Sequence, residues 1–293
     1  MRNTLYKTIR DVLSTDDSTM LFLVDLGVNG FKSAKKEFPD RVVNFGIMED
    51  GMISILAGMS SEYINPIVYG INPFICGRGF EQLKLGFGYQ QLQGNFITIG
   101  ASYDFSTLGY SHYCPEDLGL IKMIPNFQFI APGNGIEFKK LFNSTYNNGN
   151  PKYYRLTDYV NKTKVDTEFG KATVIKKGSK GLIVAISTML DLVLQAVGHL
   201  DVTILYYNTL LPFDSKTLRE NYNENIILCE PHFRGILSYE IIESLKGELV
   251  KLDFIGLPYE YMRNYGTKQQ NDDFYGLNTE AIFKKVIDFF NIR

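Results

Sequence analysis

Three histidines serve a chain of 293 residues, so acid–base chemistry near neutral pH has few imidazoles to draw on. His112 follows Gly109-Tyr110-Ser111 in a loop, where a side chain is free to meet a ligand, and it also stands near enough to cap a helix expected from Glu116. His199 closes a helical stretch and suits the negative end of its dipole. His232 follows a strand in Cys229-Glu230-Pro231-His232 and reads as organising that region or a subunit contact. Glu49 opens an apolar helical stretch, GIMEDGMISILAGMS (46–60). Taken alone it is an acid favoured at a helix N-terminus. A carboxyl among Gly46, Ile47, Met48 and Met52 could instead be desolvated enough to hold a proton for chemistry. Phe74 and Phe80 lie six apart on one expected helix, a spacing that serves ordinary core packing or a flat ring surface for a ligand. Arg155 ends the strand-like YYRL, as a salt-bridged residue or as an anion clamp.

The common catalytic signatures are absent. There is no GxGxxG after the first strand, no GxxxxGK[ST], no GxSxG elbow, no HExxH and no clustered Cys/His set. No metal ligands are therefore assigned. Any catalysis has to come from a cofactor or from a partner's residues. Cys76, Cys114 and Cys229 are widely spaced, which points to reduced thiols and a cytoplasmic protein. With 30 basic against 32 acidic residues the chain carries a formal charge of -2, giving no support for a nucleic-acid or membrane partner. No run approaches the length and apolarity of a membrane span.

The elements that must position these residues alternate between short apolar, β-branched runs and longer stretches of helical period, which predicts an α/β fold with largely parallel sheets. In the first half the expected helices are 5–13, 46–60, 74–92, 116–123 and 135–142. The expected strands there are 20–26, 66–71, 95–101, 127–131 and 152–156. Residues 157–171 lose the apolar period and read as a linker. Beyond it the strands 182–186, 202–206, 226–230 and 249–254 alternate with helices 189–199, 215–221 and 236–245. A last helix, 279–290, takes Thr279 as its N-cap. The expectation is two consecutive three-layer α/β domains, 1–156 and 172–293.

Several segments resemble the transketolase family, in order and in register. FPDRVVNFGIMEDGMISILAG (38–58) is similar to its pyrimidine-binding domain, where a glutamate follows Gly-Ile at the start of a helix. FICGRGFEQLK (74–84) resembles the family's aromatic-bearing helix, and GYSHYCPEDLGLIKMIPNFQFIAP (109–132) its histidine loop, Pro-Glu-Asp-Leu helix and Ile-Pro-Asn turn. FGKATVIKKG (169–178), LLPFD (210–214), CEPHFRGILSYEI (229–241) and IGLPYEY (255–261) are similar to the family's C-terminal domain. Together they cover nearly the whole chain.

The resemblance implies thiamine diphosphate, with Mg2+, as cofactor. It implies that Glu49 bonds the aminopyrimidine ring and so helps the cofactor lose its thiazolium proton, a role that desolvation of the carboxyl favours. Phe74 and Phe80 would pack that ring, and His112 would bond the substrate oxygen as the adduct forms. Arg155 would meet an anionic substrate group. Asp25 matches an acidic residue of the family and reads as structural.

Two departures bear on function. The loop SYDFSTLGY (102–110) is shorter than the family's, with Tyr103 near a histidine position and Thr107 and Leu108 near an acidic one, and Gly77 stands where some members stack an aromatic. Substrate contacts, Tyr103 among them, are therefore expected to differ. The family's Gly-Asp-Gly…Asn motif, which holds magnesium and diphosphate, is missing. The resemblance then implies a split enzyme. This chain would be the C-terminal subunit, dimerising within an α2β2 assembly with an N-terminal subunit that carries the diphosphate-binding domain. It would transfer a two-carbon ketol unit between sugar substrates, phosphorylated or nucleotide-linked. The rival readings are the beta chain of a 2-oxo acid dehydrogenase or 1-deoxyxylulose-type synthase, and a non-catalytic regulatory subunit.

Overall fold

The computed structural model describes residues 1–292. Its first sheet collects β1 (Thr19–Leu23), β2 (Val42–Asn44), β3 (Asn65–Ile71), β4 (Gly94–Ile99), β5 (Gln128–Ile130) and β6 (Pro151–Arg155). The second holds β7 (Thr173–Lys176), β8 (Leu182–Ile186), β9 (Thr203–Tyr207), β11 (Asn225–Phe233) and β12 (Lys251–Leu257). Between β9 and β11 in sequence, β10 (Thr209–Leu211) leaves its neighbours and pairs antiparallel with β5, so the orders are β10-β5-β6-β4-β3-β1-β2 and β12-β11-β8-β9-β7. All other pairings are parallel except β7 with β9. The result is a mostly parallel, two-sheet α/β architecture, as the alternating runs predicted.

Parallel strands covered on both faces read as continuous apolar runs, and β4 and β8 are buried along their whole length. Helices Arg2–Thr15 and Gly135–Thr145 cover one face of the first sheet, with Leu5, Ile9 and Phe138 meeting Leu21, Ile67 and Ile97. Helices Glu49–Ser61 and Asp117–Lys122 cover the other, and there Phe22, Val68 and Phe96 share one core with Val184, Leu205 and Leu228 of the second sheet. The outer face of the second sheet packs on Met189–Val197 and Thr279–Phe290. No helix among the described residues is long and apolar enough to cross a membrane.

Several elements differ from the sequence expectation. The stretch 74–92 is not a regular α-helix: wide π-helical turns at Phe74–Arg78 and Leu83–Tyr89 flank a short α-turn. Gly77, Gly79, Gly86 and Gly88 lower its α-propensity. A Cβ at Gly79 would come within 2.4 Å of Ile53, so this glycine also permits the close approach to helix 49–61. The N-cap of the last helix is Asn278, whose side chain accepts from the Ala281 N–H, and Thr279 is the first helical residue. The strand expected at 249–254 runs Lys251–Leu257. β2, β7 and β10, each three or four residues long, and helices Lys32–Glu37 and Lys268–Tyr275 carry too little apolar period to announce themselves. Residues 157–171 form neither helix nor strand, yet they are pinned in place. Asn161 donates to Ser187 O at 2.9 Å, and its backbone N–H donates to Gly133 O.

Candidate active site

At the carboxyl ends of the first sheet's strands, three loops bring Glu49, Phe74 and His112 into one line of contacts. Glu49 is the first residue of its helix, with Asp50 beside it in the turn where the helix dipole favours acids. Its residue surface is only 2% exposed. The carboxylate accepts from Arg78 Nη1 at 2.5 Å, and that arginine keeps 44% of its side-chain surface in solvent. The Arg78 guanidinium lies over the Phe74 ring, 4.6 Å from its centroid, and Phe74 meets the His112 ring edge-on at 5.3 Å. His112 Nδ1 is 3.0 Å from Ser111 Oγ. Below this line, Cys76 and Cys114 touch at 3.3 Å between their sulfurs, tying the aromatic helix to the histidine loop. All three cysteines are free and buried.

Arg78 escaped the reading of the sequence. The available signal was its place four residues after Phe74, one wide turn along the same helix. Phe80 is half-buried and packs against the hydrophobic core. Asp25, at φ +56°, exchanges hydrogen bonds with Asn44 and so joins the loop after β1 to the end of β2. His199 is exposed and stacks on Phe283.

The other predicted residues lie in a second polar cluster beneath the second sheet. Arg155, 2% exposed, donates from Nε to Asp117 Oδ2 and from Nη2 to Ser102 Oγ, both at 2.6 Å. Asp117 is fully buried and also accepts from Asn72 at 2.7 Å and from the Leu118 N–H at 2.8 Å. Tyr153 donates to Asn72, and Ser102 donates to the carbonyl of Pro231 across the boundary between the sheets. Tyr103 donates to Asp272 at 2.6 Å, and burial, then Asp272, pushes its phenol pKa up. A cleft of about 230 Å³ opens here, lined by Tyr103, Asp104, Arg155, Asp191, Lys268 and Asp272. Burial pushes the Asp104 carboxyl up to about 6, against the pull of Thr157, Arg155 and Lys268. His232 is buried with both ring nitrogens unpartnered, and burial, then Arg155, holds its pKa well below the usual range.

Residues 1–158 match the family described as transketolase, pyrimidine binding domain. This chain belongs to the transketolase family. It is 32% identical over 287 residues to an uncharacterised 33.6 kDa protein in the fasciation locus of Rhodococcoides fascians, covering 96% of this chain and 92% of that one. It is 25% identical to one of the subunits of the apulose-4-phosphate transketolase of Phocaeicola vulgatus, over 87% of this chain and 85% of the relative. Among solved structures, a split gene transketolase described as an inactive beta4 tetramer superposes with a TM-score of 0.86 over 99% of this chain and 98% of the other, at 22% identity.

Transketolases use thiamine diphosphate, and the residues here suit its pyrimidine half. The site offers a buried carboxylate, a half-buried aromatic ring beside it, and open space at Gly77, where an added Cβ would meet nothing within 4 Å. For the diphosphate and its cation, no group of three or more His, Cys, Asp or Glu side chains among the described residues is arranged to hold a metal ion.

Proposed function

We infer that this chain is the C-terminal subunit of a split transketolase-like enzyme, which moves a two-carbon ketol unit from a ketose to an aldehyde and is active only with a partner subunit. The observation that carries the reading is the Glu49 carboxylate, buried at a helix start and adjoining Phe74 through Arg78, with the His112 ring edge-on to Phe74. Thiamine diphosphate, when bound, would supply the nucleophilic carbon that the chemistry needs. Glu49 would hydrogen-bond the aminopyrimidine nitrogen, with Phe74 and Phe80 walling the ring. His112 would donate to the substrate oxygen as charge develops on it. Arg155 and Tyr103 would bound the far end of the substrate, Arg155 through the guanidinium edge that Asp117 and Ser102 leave over. The magnesium and diphosphate ligands would come from the partner. The split-gene neighbour, inactive as a beta4 tetramer, supports that division, as does the Phocaeicola relative, itself named as a single subunit of a transketolase. We place the assembly, an α2β2 heterotetramer, in the cytoplasm on the strength of its free thiols. The domain division proposed is 1–156 and 172–293, with 157–171 between them.

The test is to mix the chain with a separate N-terminal subunit that carries the diphosphate-binding domain and to assay ketol transfer with and without thiamine diphosphate. Transfer that needs both proteins and the cofactor is expected, and Glu49→Gln should lower it at least about a hundredfold. Full activity of the Gln variant would reduce the chain to a scaffold. Decarboxylation of a 2-oxo acid with no ketose consumed would select the dehydrogenase or synthase reading.

A further inference from the structure

The partner of Glu49 in this chain is a side chain, and it occupies a carboxylate oxygen. Arg78 donates to Oε2 at 2.5 Å while its guanidinium lies over Phe74, so a single residue covers both the acid and the aromatic face. The two members of the pair are unequal. Glu49 has 3% of its side-chain surface exposed and sits at a helix start, so it cannot follow a departing partner. Arg78 has 44% exposed, follows Gly77, and can turn into solvent without burying its charge. The pair therefore opens by movement of the arginine. Opening leaves an unpaired carboxylate in a buried position, which is costly unless another donor takes the vacated oxygen.

We propose that Arg78 is a latch on the cofactor site: its guanidinium stands where a donor-bearing aromatic ring must bind, and the ring enters by exchange with it. Arg78 is thus a positioning residue that acts through Glu49 and Phe74, and this role rests on the reading of Glu49 as the cofactor's partner. Exchange makes entry a replacement of one hydrogen bond and one ring contact by another. The free chain then keeps a satisfied carboxylate and a low affinity for the ring, until the partner subunit adds the diphosphate contacts that tip the balance.

The probe is thiamine without phosphates, which takes the diphosphate site out of the measurement, titrated into the full chain and followed by ligand-observed NMR. Arg78→Ala should bind thiamine about tenfold more tightly than the wild type, with Arg78→Lys between them. Equal or weaker binding by Arg78→Ala overturns the latch, since a merely structural arginine would lower stability without raising affinity and a direct cofactor ligand would lose affinity. The second measurement is urea unfolding of Arg78→Ala in the wild-type and Glu49→Gln backgrounds. Arg78→Ala should lower the midpoint in the first and leave it nearly unmoved in the second, and equal losses in both overturn the latch independently of any ligand. If that coupling is present but neither the chain nor its complex with the partner binds thiamine or its diphosphate, the cofactor reading fails and the latch falls with it.

Discussion

Two polar clusters sit at the same edge of the first sheet, and they are built on opposite terms. In the Glu49–Arg78–Phe74–His112 line, a buried acid is paired to a half-exposed base, and each group keeps capacity for a new partner. In the Arg155–Asp117–Asn72–Ser102 cluster, donors and acceptors are matched to one another beneath the second sheet. The first can exchange contacts with a ligand; the second holds the two sheets in register. A buried charged residue is thus a candidate for chemistry when its partner can leave, and a strut when its partner cannot.

The comparison would break most visibly at Arg155. Arg155→Gln leaves the Asp117 carboxylate buried without its cation, with only Asn72 and the Leu118 N–H as donors, and the expected loss is about 3–5 kcal/mol in unfolding free energy. A variant that stays stable would remove the strut, while a raised KM for phosphorylated substrate would support the place proposed for Arg155 at the far end of the substrate. The open cluster should respond the other way. His112→Gln is expected to lower turnover of the assembled enzyme about a hundredfold with an unchanged unfolding midpoint.

Asp104 sharpens the contrast through pH. Its folded pKa of about 6 lies above the ordinary 3.8, so the fold favours the protonated acid. That contribution is complete below about pH 3.8 and is lost as pH rises through about 6, so Asp104→Asn should flatten the decline by roughly 2–3 kcal/mol in unfolding measured across this window. The smallest effect is expected at Thr267, which with Gln270 forms a capping box on the helix that carries Lys268 and Asp272 to Tyr103. Thr267→Ala should cost about 1 kcal/mol, read from denaturant unfolding, and leave turnover intact.

Much of this arrangement is legible in the sequence. Buried parallel strands such as β4 and β8 are continuous apolar runs, and the resemblance named Glu49, Phe74 and His112 as one candidate site, which the fold brings into neighbouring positions. The segment 74–92 was legible as helical but not as π-helical, because the wide turns depend on how its glycines meet helix 49–61. Arg78 went unread for a related reason: an arginine on a half-exposed turn is ordinary until its partner is known.

The chain by itself determined the alternation of strands and helices, the placement of an acid at a helix start and of a histidine in a loop, because each depends on neighbours within a turn or two. Only the tertiary structure decided which charge meets which. Glu49 finds Arg78 across 29 residues and Arg155 finds Asp117 across 38, while β10 joins a sheet whose other strands end at residue 155. Such pairings follow from how sheets stack and from which side chains lose their water together, quantities that no local pattern of residues encodes.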